Sequence, residues 1–315
     1  MQFLDAAQVA ARLDRGILID ALDAAFRAPH AIPERHHHAL APTDAGPHGG
    51  MLLLMPAWDG GGALGVKLVT VFPDNGLRGL PSVCASYVLM DRSTGRPRAF
   101  IDGTELTVRR TAAASALASR HLSRPDSSRL LMVGTGNLAP HLIASHALVR
   151  PIREVQLWGR NRTRAAALAE RLRRPGLTVE AIGDLEAGVR WADLVSCATL
   201  SHQPLVRGEW LAPGQHLDLV GAYTPDMCEA DDEAVARSEV FVDTRVGALH
   251  EAGEIVGAVA RGVIDATALR AEFADLPRGI FRRSTVRAIT LFKSVGTALE
   301  DLVAAQIVAG TVARE

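Results

Sequence analysis

Residues 130–139 read Leu-Leu-Met-Val-Gly-Thr-Gly-Asn-Leu-Ala, an apolar run that passes directly into the pattern Gly-x-Gly-x-x-Ala. This order predicts a buried strand, a tight turn and a helix that continues through 140–148. Gly134 lets the chain turn sharply, Gly136 lets backbone amides approach a pyrophosphate, and Ala139 lets the helix pack closely on the strand. The positive N-terminus of the helix favours a phosphate group. The stretch predicts a dinucleotide site formed by Gly134, Thr135, Gly136, Asn137, Leu138 and Ala139, with a plain turn as the alternative.

The next strand, predicted over 154–160, indicates which dinucleotide binds. It ends at about the distance from the glycines at which the ribose is recognised, where NAD enzymes usually have Asp or Glu. Here the chain reads Gly-Arg-Asn-Arg-Thr-Arg over 159–164, with no carboxylate. Because a guanidinium can pair with a 2′-phosphate, Arg160, Asn161 and Arg162 favour NADP over NAD. The alternative is a solvated basic loop.

Composition restricts the class of protein. A chain of 315 residues can form two domains, and a net charge of −1 does not favour nucleic acid or an anionic membrane as a partner. The N-terminus reaches Asp5 almost at once and no apolar run approaches about 20 residues, so neither a signal peptide nor a membrane span is expected. Cys84, Cys197 and Cys228 lie far apart and predict reduced thiols in the cytoplasm. The three side chains at 36–38, all histidine, diverge on an extended segment, so no metal site is expected.

The hydrophobic pattern divides the chain into two parts. The first has a helix over 5–27, strands at 51–55, 64–72, 82–90 and 97–101, and a helix over 107–122. After a hinge at 123–126, strands alternate with helices, which predicts a doubly wound parallel sheet. These strands are expected at 129–133, 155–158, 178–182, 193–197, 216–221 and 239–242. The predicted domains are 1–123, completed by a C-terminal helix over 288–315, and 124–287.

Several segments, in the right order, resemble the ornithine cyclodeaminase/μ-crystallin family over nearly the whole chain. They are Leu-Gly-Val-Lys-Leu-Val-Thr-Val-Phe-Pro at 64–73, Tyr-Val-Leu-Met-Asp at 87–91, Ala-Phe-Ile-Asp-Gly at 99–103, Leu-Thr-Val-Arg-Arg-Thr-Ala-Ala at 106–113, Ile-Thr-Leu-Phe-Lys-Ser-Val-Gly at 289–296 and Glu-Asp-Leu at 300–302. The resemblance implies a Rossmann domain joined to an α+β domain that binds substrate and forms a homodimer. It also implies oxidation or reduction of α-amino or α-imino acids with NAD(P).

The resemblance implies three substrate-binding cations. Lys67 matches the active-site lysine of the family, Arg110 matches the arginine that holds the substrate carboxylate, and Arg35 matches another arginine of the pocket. A planar guanidinium holds a carboxylate in one orientation, and a partly buried lysine changes its pKa readily. Arg109 is the alternative to Arg110, Arg35 is alternatively a surface cation, and Lys67 is alternatively a structural group of its strand.

Further positions match cofactor-binding segments of the family. They are Ala198, Thr199, Val220, Gly221, Lys293 and Ser294, with turns at strand ends and helix packing as the alternative.

One position departs from the family pattern. Tyr223 stands where cyclodeaminases carry an Asp, and Asp226 aligns further along. Cyclodeamination needs a base for the distal ammonium of the substrate, and a tyrosine that ionises near 10 is a poor one. Reduction of an existing imine needs only capture of the carboxylate, a hydride and a proton. The sequence therefore favours reduction of a small imino acid such as Δ1-pyrroline-2-carboxylate. Ornithine cyclodeaminase, or a binding protein for NADP and a small ligand without turnover, are the alternatives.

Overall fold

The computed structural model of the chain describes residues 1–43 and 46–310. Its strands are β1 (Gln2–Leu4), β2 (His30–Ala31), β3 (His36–Leu40), β4 (Gly50–Asp59), β5 (Ala63–Val71), β6 (Val83–Asp91), β7 (Pro97–Asp102), β8 (Arg129–Val133), β9 (Glu154–Trp158), β10 (Thr178–Ala181), β11 (Leu194–Cys197), β12 (His216–Leu219), β13 (Glu239–Val242), β14 (Ala271–Glu272) and β15 (Thr290–Lys293). Its α-helices are α1 (Ala6–Arg12), α2 (Arg15–Arg27), α3 (Gly103–Leu122), α4 (Ala139–Val149), α5 (Arg162–Leu172), α6 (Leu185–Trp191), α7 (Asp232–Ala236), α8 (Arg245–Glu251), α9 (Gly253–Ala260) and α10 (Ala298–Ala309). Short 3₁₀ helices cover Pro73–Arg78, Gly208–Trp210, Ala266–Ala268 and Phe273–Arg278.

The chain divides into two compact units. The first unit is Met1–Thr111 with Thr297–Glu315, and the second unit is Ala112–Gly296. The predicted domain boundaries, after residues 123 and 287, differ from the boundaries of these units, which lie after Thr111 and after Gly296. The second half of α3 belongs to the second unit, where the Ser115 hydroxyl donates to Asp218 Oδ1 at 2.9 Å. The strand β15 belongs there as well, because it pairs with β12 and β13.

A mixed sheet forms the first unit, in the order β1-β7-β6-β5-β4-β2, with β3 also paired to β4. Its strands are antiparallel except for the parallel pair of β1 and β7. The helix α10 packs on β4 and β5 and against α2. Alternate residues of β5, from Ala63 to Val69, are buried, whereas Leu64, Val66 and Leu68 are half-buried on the opposite face.

Two helical predictions for the ends of the chain are wrong in their extent. The segment 5–27 is interrupted, because the Asp14 side chain accepts from the Ile17 N–H at 2.9 Å and starts a second helix. The segment 288–315 begins as β15, and Gly296, with φ of 84°, precedes the helix α10. The end of that prediction, 311–315, lies outside the described residues.

An eight-stranded sheet forms the second unit, in the order β10-β9-β8-β11-β12-β15-β13-β14, and every pair in it is parallel. The first five strands follow the Rossmann order, with its switch point between β8 and β11. In β8, Leu130 and Met132 pack into one core cluster while Leu131 and Val133 pack into another, so both faces of the sheet are covered. The predicted fold class is confirmed.

The helices of the described residues are each too short or too polar to cross a membrane.

Candidate active site

Lys67 lies on β5, and its side chain is buried. Its ammonium forms an ion pair with Asp301 Oδ2 at 2.8 Å, and the residue is 2% exposed. On the neighbouring strands, Met55 and Tyr87 are its register partners. A buried ammonium is costly without a counter-ion, and Asp301 supplies one.

Arg110 meets Lys67 through the same carboxylate. From α3, its Nε–H donates to Asp301 Oδ1 at 2.9 Å and its Nη1–H donates to Glu300 Oε2 at 2.6 Å. Both carboxylates belong to the first turns of α10 and are fully buried. Two cations that are 43 residues apart in sequence are thus joined within the first unit. We name Lys67, Arg110, Glu300 and Asp301 the charge cluster.

The charge cluster changes the protonation of its members in opposite directions. Burial lowers the pKa of Lys67 to about 8, helped by the positive charges of Arg110 and Arg35 and opposed by Asp301. Burial also disfavours the charged form of Arg110, but Asp301 and Glu300 outweigh this effect and raise its pKa. At neutral pH the cluster therefore contains one permanent cation and one ammonium that can release its proton.

Two further residues of the first unit, Arg35 and Tyr87, lie near the charge cluster. Arg35 is half-buried just before β3 and is close enough to lower the pKa of Lys67. Tyr87 is fully buried, and its hydroxyl packs directly over Gly65. A Cβ at position 65 would lie only 2.1 Å from this hydroxyl oxygen, so the contact requires glycine there. Within the described part of the chain this hydroxyl has no hydrogen-bond partner. Burial and the charge of Asp301 raise the pKa of Tyr87, so it is neutral.

Lys67, Arg110 and Arg35 were predicted from the sequence as site residues, whereas Glu300 and Asp301 were not. The signal was present, because two adjacent acidic residues stand in the otherwise apolar helix α10. Arg109 points elsewhere: its Nε–H donates to Glu105 Oε1 at 2.6 Å, one turn earlier on α3.

The glycine-rich turn after β8 fits a dinucleotide. Gly134 has φ of 118°, and a Cβ there would lie 2.5 Å from the Ala198 carbonyl oxygen. Around Gly136, by contrast, no atom of the described residues other than Gly136 and its two chain neighbours lies within 4 Å of the Cβ position, which leaves room for a phosphate beside the exposed Asn137. The helix α4 starts at Ala139 without a side-chain cap, and the positive end of its dipole lies next to this turn, which favours an anion there.

The end of β9 carries exposed cations. Arg160, Arg162 and Arg164 are exposed, and Asn161 caps α5 by accepting from the Arg164 N–H at 2.9 Å. A Cβ on Gly183, after β10, would lie 2.9 Å from the Arg162 guanidinium, so this side chain extends along the end of β10.

A buried carboxylate that the sequence analysis did not identify holds the ends of β11 and β12 together. Glu229 Oε1 accepts from the Thr199 N–H at 2.6 Å and from its hydroxyl at 2.9 Å. Glu229 Oε2 accepts from the Gly221 N–H at 2.7 Å and from the Ala222 N–H at 3.3 Å. Glu229 thereby fixes the backbone that follows both strands. In parallel sheets, ligands bind at these carboxyl ends of the strands. Ala198 and Val220 lie within the same two loops.

Lys293 and Ser294 have partners inside the second unit. The Lys293 ammonium lies 3.2 Å from Glu254 Oε2, and the residue is fully buried. The Ser294 hydroxyl donates to Asp243 Oδ2 at 3.2 Å. These side chains therefore hold β15 within the unit.

Tyr223 follows β12 in the second unit and is partly buried. Burial and the nearby Asp226 raise the pKa of its phenol, so it is neutral at physiological pH. Asp226 is exposed, accepts from the Thr224 hydroxyl at 2.6 Å, and has a lowered pKa because of that bond. A carboxylate is therefore present three residues after Tyr223, but it is a solvated one.

The comparisons with known proteins agree with this architecture. The family model described as "Ornithine cyclodeaminase/mu-crystallin family" matches residues 2–315. A Δ1-pyrroline-2-carboxylate reductase of Colwellia psychrerythraea is 39% identical and covers 98% of both chains. The structure of Thermococcus litoralis Δ1-pyrroline-2-carboxylate reductase with NADH and L-proline has a TM-score of 0.92 and 32% identity, over 99% of this chain and 97% of that one. An archaeal alanine dehydrogenase dimer with bound NAD has a TM-score of 0.90 and 28% identity, over 99% of this chain and 95% of that one. The predicted family is confirmed: the chain belongs to the ornithine cyclodeaminase/μ-crystallin family.

Proposed function

We propose that this protein reduces a small α-imino acid of the Δ1-pyrroline-2-carboxylate type. The observation that carries the proposal is the charge cluster, in which Lys67 and Arg110 are buried and share Asp301. The enzyme class predicted from the sequence, an NAD(P)-dependent oxidoreductase of imino or amino acids, is confirmed by the named reductases among the relatives.

Each cation has a distinct chemical role. Arg110 is charged at every relevant pH, and the part of its guanidinium that does not contact Asp301 and Glu300 is suited to hold the substrate carboxylate. Lys67, with a pKa of about 8, is protonated at neutral pH and can donate to the imine nitrogen. Arg35 adds a positive charge that favours the bound anion. Orientation of the carboxylate fixes the reacting carbon, so positioning contributes much of the catalysis.

The residues that would hold the cofactor are in the second unit. Gly134 allows the tight turn and Gly136 leaves room for the pyrophosphate beside the N-terminus of α4, and the exposed Arg160 and Arg162 suit a 2′-phosphate. NAD(P)H, when bound, supplies the hydride. We infer a preference for NADPH, because β9 ends without the carboxylate that would bind the ribose hydroxyls of NAD.

The site favours imine reduction over cyclodeamination. Cyclodeamination requires a base for the distal amine of the substrate, and Tyr223 is a neutral phenol with a raised pKa. A phenol in that position does not take up the proton of an ammonium group at neutral pH.

The test is an assay of the purified protein with cyclic and linear imino acids, L-proline and L-ornithine, each with both nucleotides. We expect oxidation of NADPH that depends on the cyclic imine. Release of ammonia and proline from L-ornithine by the wild type would assign cyclodeamination instead. Tight binding of NADPH without turnover of any imine would assign a binding protein. Tyr223→Asp, which restores the family carboxylate, is the variant in which ornithine conversion is next measured.

We also propose that two copies associate through the open face of the first unit. A continuous apolar row crosses this face in register, formed by Pro56, Val66, Val88, Phe100 and Phe3. Phe3 is 69% exposed and Phe100 is 40% exposed, which is unusual for adjacent aromatic residues in a sheet. Sedimentation of Val66→Glu/Val88→Glu should show a monomer where the wild type is a dimer. Leu77→Glu, at an exposed site outside the sheet, is the control; a monomeric wild type would contradict the proposal.

A cytoplasmic location is part of the same proposal, since Cys84, Cys197 and Cys228 are all free thiols.

A further inference from the structure

The chain has an unusual set of basic residues. Only two of its 34 lysine and arginine residues are lysines, Lys67 and Lys293. Both are buried, and both are paired with a carboxylate. At Lys67 an arginine could form the same ion pair, but it could not release a proton near neutral pH. A lysine at this position is therefore able to release a proton that an arginine would keep.

Asp301 is placed to control that proton. One of its oxygens lies 2.8 Å from the Lys67 ammonium and the other accepts from Arg110 at 2.9 Å, so a single carboxylate fixes both cations. Glu300, its neighbour on α10, contacts Arg110. Both carboxylates stand at the start of α10, where the helix dipole favours negative charge.

Within the charge cluster the two cations, Lys67 and Arg110, are matched by the two carboxylates, Glu300 and Asp301. The charge of Arg35 also acts on Lys67. Among the described residues, the neutral Tyr87 on β6 is a register partner of Lys67, and the charge of Asp59, at the end of β4, acts on Tyr87.

We propose that Asp301 is a positioning residue that keeps Lys67 in its ammonium form and orients it, so that Lys67 delivers the proton that imine reduction consumes. The step is balanced: the C=N π bond breaks, a hydride from NAD(P)H forms the new C–H bond, and a proton from Lys67 forms the new N–H bond. NAD(P)H is oxidised, the imine is reduced to an amine, and neutral Lys67 regains a proton from solvent. This inference rests on the proposed function.

The opposing effects on the pKa of Lys67 predict the direction in which it changes when Asp301 is replaced. Burial and Arg110 lower the pKa of Lys67 to about 8, and the charge of Asp301 keeps it from falling further. Asp301→Asn removes that charge but keeps the size of the side chain. The pKa of Lys67 should then fall, and the ammonium form should be lost at lower pH.

The direct measurement is NMR of protein labelled with ¹³C at lysine Cε, in which the two lysines give two signals. In Asp301→Asn the titration midpoint of Lys67 should move down by about one pH unit or more, the effect of losing an adjacent opposite charge. The Lys293 signal is the internal control and should not move. Glu300→Gln is the matched variant, because Glu300 contacts Arg110 rather than Lys67, and the Lys67 midpoint should move much less.

The second measurement is the pH profile of kcat/KM for one cyclic imine with NADPH. Ionisation of the substrate is the same for all variants, so a difference in the pH at which kcat/KM falls on the alkaline side is due to the protein. In Asp301→Asn this alkaline limb should move to lower pH together with the titration midpoint of Lys67. Asp301→Glu should return the limb to the position that it has in the wild type. An unmoved midpoint, or a midpoint that moves without the limb, would overturn the proposal.

A variant that does not fold leaves the proposal testable. Lys67→Arg keeps a cation next to Asp301 but does not titrate near pH 8, so the alkaline limb of its residual activity should differ from that of the wild type and reflect only ionisation of the substrate. An alkaline limb that is the same in Lys67→Arg and in the wild type contradicts the role of Lys67 as donor. If the wild type reduces no imine at all, the proposed function fails, whereas the NMR titration still reports on the pair of Lys67 and Asp301.

Discussion

The two units each bury a lysine, but the charged groups beside the two lysines differ. In the first unit Lys67 stands with two cations, Arg110 and Arg35, as well as with Asp301, and burial and the two cations lower its pKa to about 8. In the second unit Lys293 stands with two carboxylates, Glu254 at 3.2 Å and the nearby Glu229. The first arrangement therefore combines cations with carboxylates, whereas the second places one ammonium among carboxylates.

The partners of the carboxylates explain what each arrangement does. Glu229 in the second unit is satisfied by backbone amides of two loops, so its cluster holds the backbone at the edge of the sheet. Asp301 in the first unit is satisfied by side-chain cations alone among its described partners, so a second carboxylate can share them. Buried ions must be compensated in both cases, but the first cluster is suited to bind an anion and the second to maintain a shape.

The largest effect is expected from breaking the first cluster. Arg110→Met leaves Glu300 and Asp301 buried without their main counter-ion, so unfolding free energy should fall by about 3–5 kcal/mol. Imine reduction should be lost as well, because the carboxylate of the substrate has no fork to bind. Denaturant unfolding and kcat/KM measure the two effects separately.

The neighbouring arginine is the matched control. Arg109→Met removes a mostly buried ion pair with Glu105 within one helix, which should cost about 1.5–3 kcal/mol and leave turnover of the imine largely intact. Equal losses of activity in the two variants would show that Arg110 has no special role.

A smaller and different effect is expected in the second cluster. Glu229→Gln replaces one accepting oxygen by an NH₂ group that faces backbone donors, so unfolding free energy should fall by about 1–3 kcal/mol. The loops after β11 and β12 should lose their fixed geometry. We expect about tenfold weaker binding of NADPH, equivalent to about 1.4 kcal/mol.

Calorimetric titration with NADPH checks this second prediction. Glu233→Gln, at a half-exposed glutamate of α7, is the control and should bind the nucleotide as the wild type does. Normal NADPH affinity in Glu229→Gln would show that the loops keep their shape without the carboxylate, and the two clusters would then differ less than the structure indicates.

The sequence was sufficient for the parallel sheet but not for the ends of the chain. Six strands of the second unit, from β8 to β13, were predicted within a few residues, because each is a short apolar run next to a helix with its own apolar face. The strand β15 was mistaken for part of a helix. It is inserted between β12 and β13, and a pairing between residues so distant in sequence leaves no local pattern.

The same limit applies to the site. Lys67 and Arg110 were predicted from motifs around them, whereas Asp301 and Glu229 were not, because their role depends on partners far away in the chain. A buried carboxylate can be suspected where an acidic residue interrupts an apolar segment, as in α10. Its partner is decided by how the segments pack, which the sequence pattern does not show.

The smallest effect on stability is expected where charges are exposed. Arg160 and Arg162 are solvated, so Arg160→Gln/Arg162→Gln should change unfolding free energy by less than about 0.5 kcal/mol. If these side chains bind a 2′-phosphate, the KM for NADPH should rise about tenfold or more, since hydrogen bonds to a charged group contribute about 1.5–3 kcal/mol. The KM for NADH, which lacks that phosphate, should stay the same. Arg171→Gln/Arg174→Gln, near the far end of α5, removes the same charge and should change neither constant. Equal changes of KM for NADPH and NADH would show that the arginines act only through the general surface charge. A change of KM confined to NADPH would make this a third kind of charged site, which contributes to binding but not to the stability of the fold.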